Sequence, residues 1–158
     1  MIQSFEAIVN ENTQILILGT IPGVASLKKQ QYYGNPRNNF WKIIYAHFDI
    51  TTEPIEYKDK ISVLQSKNIG LWDVLKNCDR QGSLDIAIKN QTENDFHTLF
   101  QLYTKISTLL FNGKESHRYF YKKYGQLEGI TYYVMPSTSP ANTMRFETKL
   151  ALWSSGLK

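Results

Sequence analysis

The sequence predicts an α/β domain, a three-layer α/β/α sandwich around a central four-stranded parallel sheet. Three observations carry that expectation. Short apolar runs without polar alternation recur along the chain, as in strands buried on both faces. Segments with apolar residues at helical spacing separate them, which is the βαβ arrangement. Turns rich in Gly, Pro, Asn and Ser follow the runs, at the carboxyl edge where open parallel sheets bind ligands.

Gln14-Ile15-Leu16-Ile17-Leu18 is the first run, stopped by Gly19 and followed by the turn Gly19-Thr20-Ile21-Pro22-Gly23. Val24 to Gly34 shows no period and reads as a loop. Asn35 is a good N-cap, and Pro36 suits the first helical position, where no N–H is needed. Phe40, Ile43, Ile44, His47 and Phe48 then form one apolar face. The helix is therefore expected from Asn35, with Asn38 in its first turn at the positive pole. Tyr57 to Lys67 reads as a second helix and Asn68 to Val74 as a second strand. Leu75 to Asn90 is mixed, with Gly82 and Ser83 marking a loop. Thr92 and Asp95 have capping-box spacing before a helix carrying Phe96, Leu99, Phe100 and Tyr103. Ile106 to Phe111 is the third strand, ended by Asn112-Gly113. Lys114 to Tyr124 is a basic amphipathic helix with Gly125 as its C-cap. Ile130 to Met135 is the fourth strand, broken by Pro136-Ser137-Thr138-Ser139-Pro140. Asn142 to Trp153 reads as the last helix, with Phe146, Leu150 and Trp153 inward.

A length of 158 residues suits one domain, 1–158, with no linker or repeat. Apolar residues at 42% and charged residues at 20% exclude a disordered acidic chain, a coiled coil and a collagen-like polymer. No apolar run approaches the roughly 18 residues of a membrane span. Met1 to Thr13 carries Glu6 and Glu11 and lacks the blocks of a signal peptide. Cys78, the one cysteine, cannot form an internal disulfide and fits a reducing compartment. The expected location is the cytoplasm, or wherever the DNA is, and without an export signal the match of Asn90-Gln91-Thr92 to a glycosylation pattern means nothing. A net charge of +4 is only mildly basic. Aromatic residues reach 13%, and several fall outside the periodic segments, where a ring can stack on a base.

Gly113-Lys114-Glu115 lacks the rest of a phosphate loop, and Gly19 to Gly23 lacks the third glycine of a dinucleotide fingerprint. His47, His97 and His117 have no metal-ligand spacing, and one cysteine makes no zinc site, so no metal or cofactor is implied. His47 fits the apolar face of its helix, and Cys78 has no partner that would activate it. Ser137 and Ser139 lack a nucleophile elbow.

Three clusters remain: Gly19 to Gly23, Tyr33-Gly34-Asn35-Pro36-Arg37-Asn38-Asn39-Phe40-Trp41, and Met135-Pro136-Ser137-Thr138-Ser139-Pro140-Ala141-Asn142. In this order they resemble the uracil-DNA glycosylase superfamily, whose mismatch-specific uracil and thymine members carry similar motifs. Leu27 to Asn38, Gly70-Leu71-Trp72-Asp73-Val74 and Gly82-Ser83-Leu84-Asp85 look most like the hypoxanthine-DNA glycosylase, or deoxyinosine glycosylase, branch. The resemblance runs from about Ile15 to Asn142 and implies the strand order 2-1-3-4. It also exposes a departure. Many members place Asp or Asn in the first motif to position water, and Ile21 stands at that position here. The hypoxanthine branch shares this loss, which shifts the expected catalytic role to Asn38.

The resemblance implies a monofunctional enzyme that flips a deaminated base out of DNA and hydrolyses its N-glycosidic bond. No lysine is evidently placed to attack, so water is the expected nucleophile. Asn38 orients water or hydrogen-bonds the base, because an amide is not a general base at neutral pH. Thr20, the backbone of Ile21, Tyr33 and Asn112 are the expected base-binding groups, with Tyr33 as the stacking ring. Ser137, Thr138, Ser139 and Asn142 are expected to hold phosphates, with Arg145, Lys28 and Lys29 as electrostatic helpers and Met144 as a wedge. DNA is the expected partner, met by a monomer.

Each assignment has a plainer counterpart. Asn38 can serve only as a local helix-start bond, and Asn39 next to it offers the same chemistry. Tyr33 can be loop packing, Asn112 an Asn-Gly turn and the Ser-Thr-Ser loop a turn alone. Trp72 and Asp73 either line the pocket or finish the core. Rival functions are a uracil- or mismatch-preferring glycosylase, a catalytically silent DNA-binding module and a small-molecule nucleoside hydrolase.

Overall fold

The computed structural model describes residues 1–158. Its strands are β1 (Ile2–Gln3), β2 (Ile15–Gly19), β3 (Ile69–Asp73), β4 (Leu75–Asp79), β5 (Lys89–Glu93), β6 (Thr108–Asn112) and β7 (Thr131–Met135). Its helices are α1 (Val24–Lys29), α2 (Phe40–His47), α3 (Tyr57–Ser66), α4 (Phe96–Leu102), α5 (Lys114–Tyr124) and α6 (Phe146–Gly156), with a 3-10 turn at Asp85–Ala87. The main sheet has the order β3-β2-β6-β7, all parallel, which is the expected order 2-1-3-4. No helix is long and apolar enough to cross a membrane.

The apolar runs alternate between two cores, one on each face of this sheet. Leu16, Leu18, Leu109 and Phe111 pack with Phe96, Leu99, Tyr119 and Phe120 of α4 and α5. Ile17, Ile69, Leu71 and Leu110 pack with Phe40, Ile43 and Ile44 of α2, Leu64 of α3 and Trp153 of α6. Strand β2 is covered on both faces and paired on both edges, so it needs apolar residues at every position.

A second sheet, antiparallel with the order β1-β4-β5, was not expected. Its strands are polar (Lys76, Asn77, Asp79, Lys89, Asn90), only Leu75 and Cys78 of β4 are buried and none of β5, so no apolar run announces them. Its first strand comes from the chain start, a pairing that local sequence cannot reveal.

Four element starts also differ from expectation. Val24–Lys29 is a short helix with only Ser26 buried, too brief to show a period. Asn35 to Asn38 form a turn instead of a first helical turn, because Asn35 Oδ1 accepts from the Arg37 N–H at 2.9 Å and Asn35 O from the Asn38 N–H at 2.9 Å. Helix α2 starts at Phe40 with Asn39 at its N-cap, so Asn38 lies just before the helix. Thr92 belongs to β5, and Asp95 caps α4 through the Thr98 N–H at 3.1 Å. Helix α6 starts four residues late, at Phe146, because the Asn142 side chain is spent on a turn, accepting from the Met144 N–H and donating to Ser137 O.

The chain start also seals the sheet. Ile8 forms an antiparallel bridge with Leu71 of β3, which brings Ile8 O within 2.7 Å and Val9 Cγ1 within 2.9 Å of where a Cβ on Gly70 would sit. Gly70→Ala is therefore expected to lower unfolding free energy by roughly 1–3 kcal/mol, from overpacking against backbone, read from urea denaturation midpoints.

Candidate active site

The main sheet ends in register. Gly19 pairs with Asp73, and Asn112 pairs with Met135. The segments that leave these residues surround one cavity of about 990 Å³. Its lining includes Thr20, Ile21, Tyr33, Asn38, Asn112, Ser137, Thr138, Ser139, Asn142 and Met144, all expected from the sequence, and adds Asp73, Asp85 and Lys114. Arg145 lies outside the lining, at the N-cap of α6, 83% exposed and 3.7 Å from Glu147. Lys28 and Lys29 also lie outside it, and Lys29 Nζ donates to Gly34 O at 2.8 Å.

The sheet edge is built around a glycine. A Cβ on Gly19 would lie 2.7 Å from Asp73 Oδ1 and 3.5 Å from the Tyr33 hydroxyl, so any side chain there would displace both. Asp73 ends an apolar strand and is only 4% exposed. Its backbone carbonyl accepts from Asn94 Nδ2 at 2.8 Å, while its carboxyl Oδ2 has no protein partner. Burial, then the neighbouring charge of Asp85, pushes the Asp73 carboxyl up to about 8 against the opposing pull of Arg80. At neutral pH it holds its proton and offers one donor beside one acceptor. Tyr33 adopts a left-handed backbone with φ 54° and stacks on Phe40, with ring centroids 4.0 Å apart and planes 21° apart. Burial, and then Asp73, raise its phenol, so its hydroxyl stays neutral.

The first turn is held from a distant segment. Thr20 Oγ1 donates to Asp85 Oδ2 at 2.9 Å. Arg80 Nη2 donates to Pro22 O at 2.6 Å and Arg80 Nε to Gly82 O at 2.8 Å, while the Val24 N–H donates to Ser83 Oγ at 2.9 Å. Ile21 is buried with Leu18 and Val74 as a cavity wall, and its N–H has no acceptor within the protein.

Asn38 and Asn39 divide their tasks. Asn38 Oδ1 accepts from the Phe40 N–H at 2.9 Å, which turns its amide NH₂ into the group available to a ligand. Asn39 does not line the cavity. Its N–H donates to Thr138 O at 2.9 Å, and its Oδ1 accepts from Lys149 Nζ at 3.0 Å. Asn112 locks the same loop: its Nδ2 donates to Thr138 Oγ1 and its Oδ1 accepts from the Thr138 N–H, each at 2.9 Å. Thr138 is thus 1% exposed with its polar groups used internally, which corrects its expected phosphate contact. Ser137 and Ser139 are half-buried, and each hydroxyl accepts from an N–H two residues on, at 3.2 Å. Met144 is 39% exposed beside them.

Five groups have no assigned role in the sequence. Asp73 was placed only between pocket and core, although a carboxyl ending an apolar run at a ligand edge is a usable signal. Asp85 and Arg80 reach the site by tertiary folding, and although Asp85 lies in one of the stretches that carry the resemblance, no local pattern assigns either residue a role. Lys149 is 1% exposed, has no carboxylate partner, and donates to Asn39 Oδ1 and to Asn142 O at 2.9 Å. Burial lowers the proton affinity of its ammonium. Lys114 is the one lysine in the lining, exposed at the start of α5, whereas the sequence offers no lysine as an attacking amine.

Asp73 also makes stability depend on pH. The folded chain keeps this proton up to about pH 8, while the unfolded chain loses it near the ordinary carboxyl value. The unfolded state therefore binds fewer protons in between, and stability falls as pH rises through that window. Urea unfolding of Asp73→Asn at pH 4 and pH 8 is expected to lack this loss, a difference from the parent of roughly 2–5 kcal/mol.

The chain has clear relatives. The family model described as the Uracil DNA glycosylase superfamily matches residues 7–155. A protein of Methanosarcina barkeri (strain Fusaro / DSM 804), named Hypoxanthine DNA glycosylase, is 35% identical over 156 residues, covering 99% of this chain and 98% of its own. One of Methanosarcina acetivorans with the same name is 37% identical over 153 residues, covering 96% and 94%. The solution NMR structure of a Methanosarcina acetivorans chain, described as a candidate uracil DNA glycosylase, superposes with a TM-score of 0.85 at 35% identity, covering 98% of this chain and 95% of that one. With its parallel sheet, its cavity at the strand ends and this kinship over nearly its whole length, the chain belongs to the uracil DNA glycosylase superfamily.

Proposed function

We propose that this protein is a monofunctional DNA glycosylase that removes hypoxanthine from deoxyinosine in DNA and leaves an abasic site for base excision repair. The observation that carries the reading is kinship over nearly the whole chain with two relatives named for hypoxanthine. The cavity supports it chemically. Hypoxanthine presents an acceptor O6 beside a donor N1–H. A neutral carboxylic acid such as Asp73 and the free NH₂ of Asn38 match such an edge without placing a negative charge against O6. Tyr33, backed by Phe40, is the stacking surface, and the free Ile21 N–H is a further donor toward the base.

Bond breaking builds positive charge on the sugar and negative charge on the leaving base. Neutral donors held in place before the reaction stabilise the second charge without reorganising. Asn38 is such a donor, or the holder of the attacking water. Thr20 and Asn112 keep the first turn and the Ser-Thr-Ser loop in place around it. Ser137, Ser139 and Asn142 meet the phosphates beside the extruded nucleotide, Met144 fills the space it vacates, and Lys114 and Arg145 add positive charge at the rim. The protein works as a monomer on DNA containing deaminated bases, in the cytoplasm. Uracil presents the same donor–acceptor pair, and the structural neighbour is described by that base, so a uracil preference is the second reading.

Base release from duplexes carrying one deoxyinosine, uracil or xanthine tests the reading. Alkali-labile product from deoxyinosine is expected, with no scission before alkali. Asn38→Ala should lower the rate about 100- to 1000-fold, as for loss of one oriented donor. Product from uracil alone would move the preference to the second reading, and bound DNA with no released base would leave a silent binding module. Arg145→Ala should reduce the slope of log K against log salt by about 0.9 on duplex DNA, the share of one phosphate contact.

A further inference from the structure

We propose that Asp85 is the general base of the reaction, the carboxylate that receives the proton of the attacking water in place of the polar side chain missing at Ile21. The proposal rests on the glycosylase reading above and deepens it. Asp85 is distant in sequence from the first turn, yet it faces the same cavity, in a 3-10 turn that follows β4. Thr20 Oγ1, on the residue before Ile21, pins Asp85 Oδ2 at 2.9 Å. Asp85 Oδ1 has no donor within the protein, and the residue is half-buried, so one oxygen is fixed and the other is free to take a water. The loop that presents it is fastened to the first turn and its exit at two further points, Arg80 Nη2 to Pro22 O and the Val24 N–H to Ser83 Oγ, and is braced internally by Arg80 Nε on Gly82 O. Such a fixed position is what a base needs.

The other carboxyl of the cavity cannot take this role. Asp73 is enclosed, without a partner for Oδ2 and neutral at working pH. Two carboxyls in one site divide into a protonated and an ionised member when their surroundings differ, and here the surroundings do. The groups facing Asp85 are Thr20 from the turn after β2, Arg80 from the segment after β4, Asp73 from β3 and Glu115 from α5, with Lys114 in the same lining. Burial raises the carboxyl and Glu115 adds to that, while the Thr20 hydrogen bond and the Arg80 charge favour its ionised form. A carboxylate whose proton affinity is raised by burial is a stronger base than an exposed one when ionised.

In the step, the C1′–N9 bond breaks and its electron pair leaves with hypoxanthine. The water oxygen bonds to C1′, its proton passes to Asp85, and the departing base anion takes a proton from solvent. Loss of the proton from Asp85 to solvent restores the site, with one water consumed in total.

Single-turnover hypoxanthine release between pH 4.5 and pH 9 tests the assignment. Asp85→Asn keeps an acceptor for Thr20 and is expected to lower the rate about 100-fold or more, as for loss of a general base. Its affinity for the deoxyinosine duplex should stay within about threefold of the parent value on the scale where a kcal/mol matters. The acidic fall in rate, which reports protonation of Asp85, should disappear. Added formate should restore part of the rate of Asp85→Ala, an effect that a structural role would not produce. Thr20→Val, which removes the hydrogen bond favouring the carboxylate, should move the acidic fall to higher pH. Asp85→Asn with a parent-like rate and an unchanged acidic fall would overturn the assignment while leaving the glycosylase reading intact. A parent protein that releases no base from any substrate would overturn both. Activity on uracil alone would change only the substrate, and the same variants then decide the role of Asp85 on it.

Discussion

Parallel pairing of β2 on both its edges, in register with β3 from Ile15 to Gly19 and with β6 from Ile15 to Leu18, constrains everything around it. A strand enclosed on two faces and two edges has no room for a polar side chain, so its polar neighbours collect where it ends. The register carries Gly19, Asp73, Asn112 and Met135 to one edge. There the absence of a Cβ at Gly19 lets the Asp73 carboxyl and the Tyr33 hydroxyl approach the backbone. The cavity is thus a consequence of how the sheet stops.

Loops that leave such an edge are held by a few polar contacts, and these are concentrated on Thr138. Its N–H, hydroxyl and carbonyl are bound to Asn112 and to the Asn39 backbone, while the Trp153 Nε1–H donates to Pro136 O at 2.9 Å. Lys149 reaches from α6 to Asn39 and Asn142, a buried ammonium satisfied by neutral oxygens alone. Burying a charge without a counter-charge is costly, so its value lies in what it joins: the turn that carries Asn38 and the loop that carries the serines. The neighbouring pair Asn38 and Asn39 shows the same economy of position, one amide turned to the cavity and the other to the scaffold.

Electrostatics within the cavity follow from depth. Asp73 sits at the sheet edge and stays neutral, because burial and a nearby carboxylate both oppose its charge. Asp85 keeps a hydroxyl donor and an arginine for company. Arg80 bears on both carboxyls while its hydrogen bonds hold the turn that contains Ile21. The proposed chemistry therefore does not need the first motif to carry its own polar side chain, because a distant segment is fastened against it.

How much of this was legible in the sequence differs by the range of the interaction. The four parallel strands, α3, and the whole of α5 with its Gly125 cap follow from local pattern, because burial on both faces of β2, β3 and β6 or on one helical face leaves a record in the sequence; β7 is an edge strand with Tyr133 and Val134 exposed, and its apolar run marks strand propensity instead of two-faced burial. The resemblance of the three clusters located most of the cavity lining, and Asn38, Tyr33 and the serines do face it. The sequence could not show the antiparallel sheet, whose strand β1 pairs with residues far along the chain, or the start of α2, where Asn35-Pro36 suits a turn as well as a helix. It could not separate Asn38 from Asn39, since their difference is only which neighbour each amide meets. Nor could it show Asp85 beside Thr20, Lys149 beneath the loops or the protonated state of Asp73. Composition and period determine which segments are buried and in what form. Only the tertiary structure decides which polar groups from distant segments are brought within hydrogen-bonding distance and removed from water, because those contacts, and the proton affinities they set, exist only once the sheet has formed.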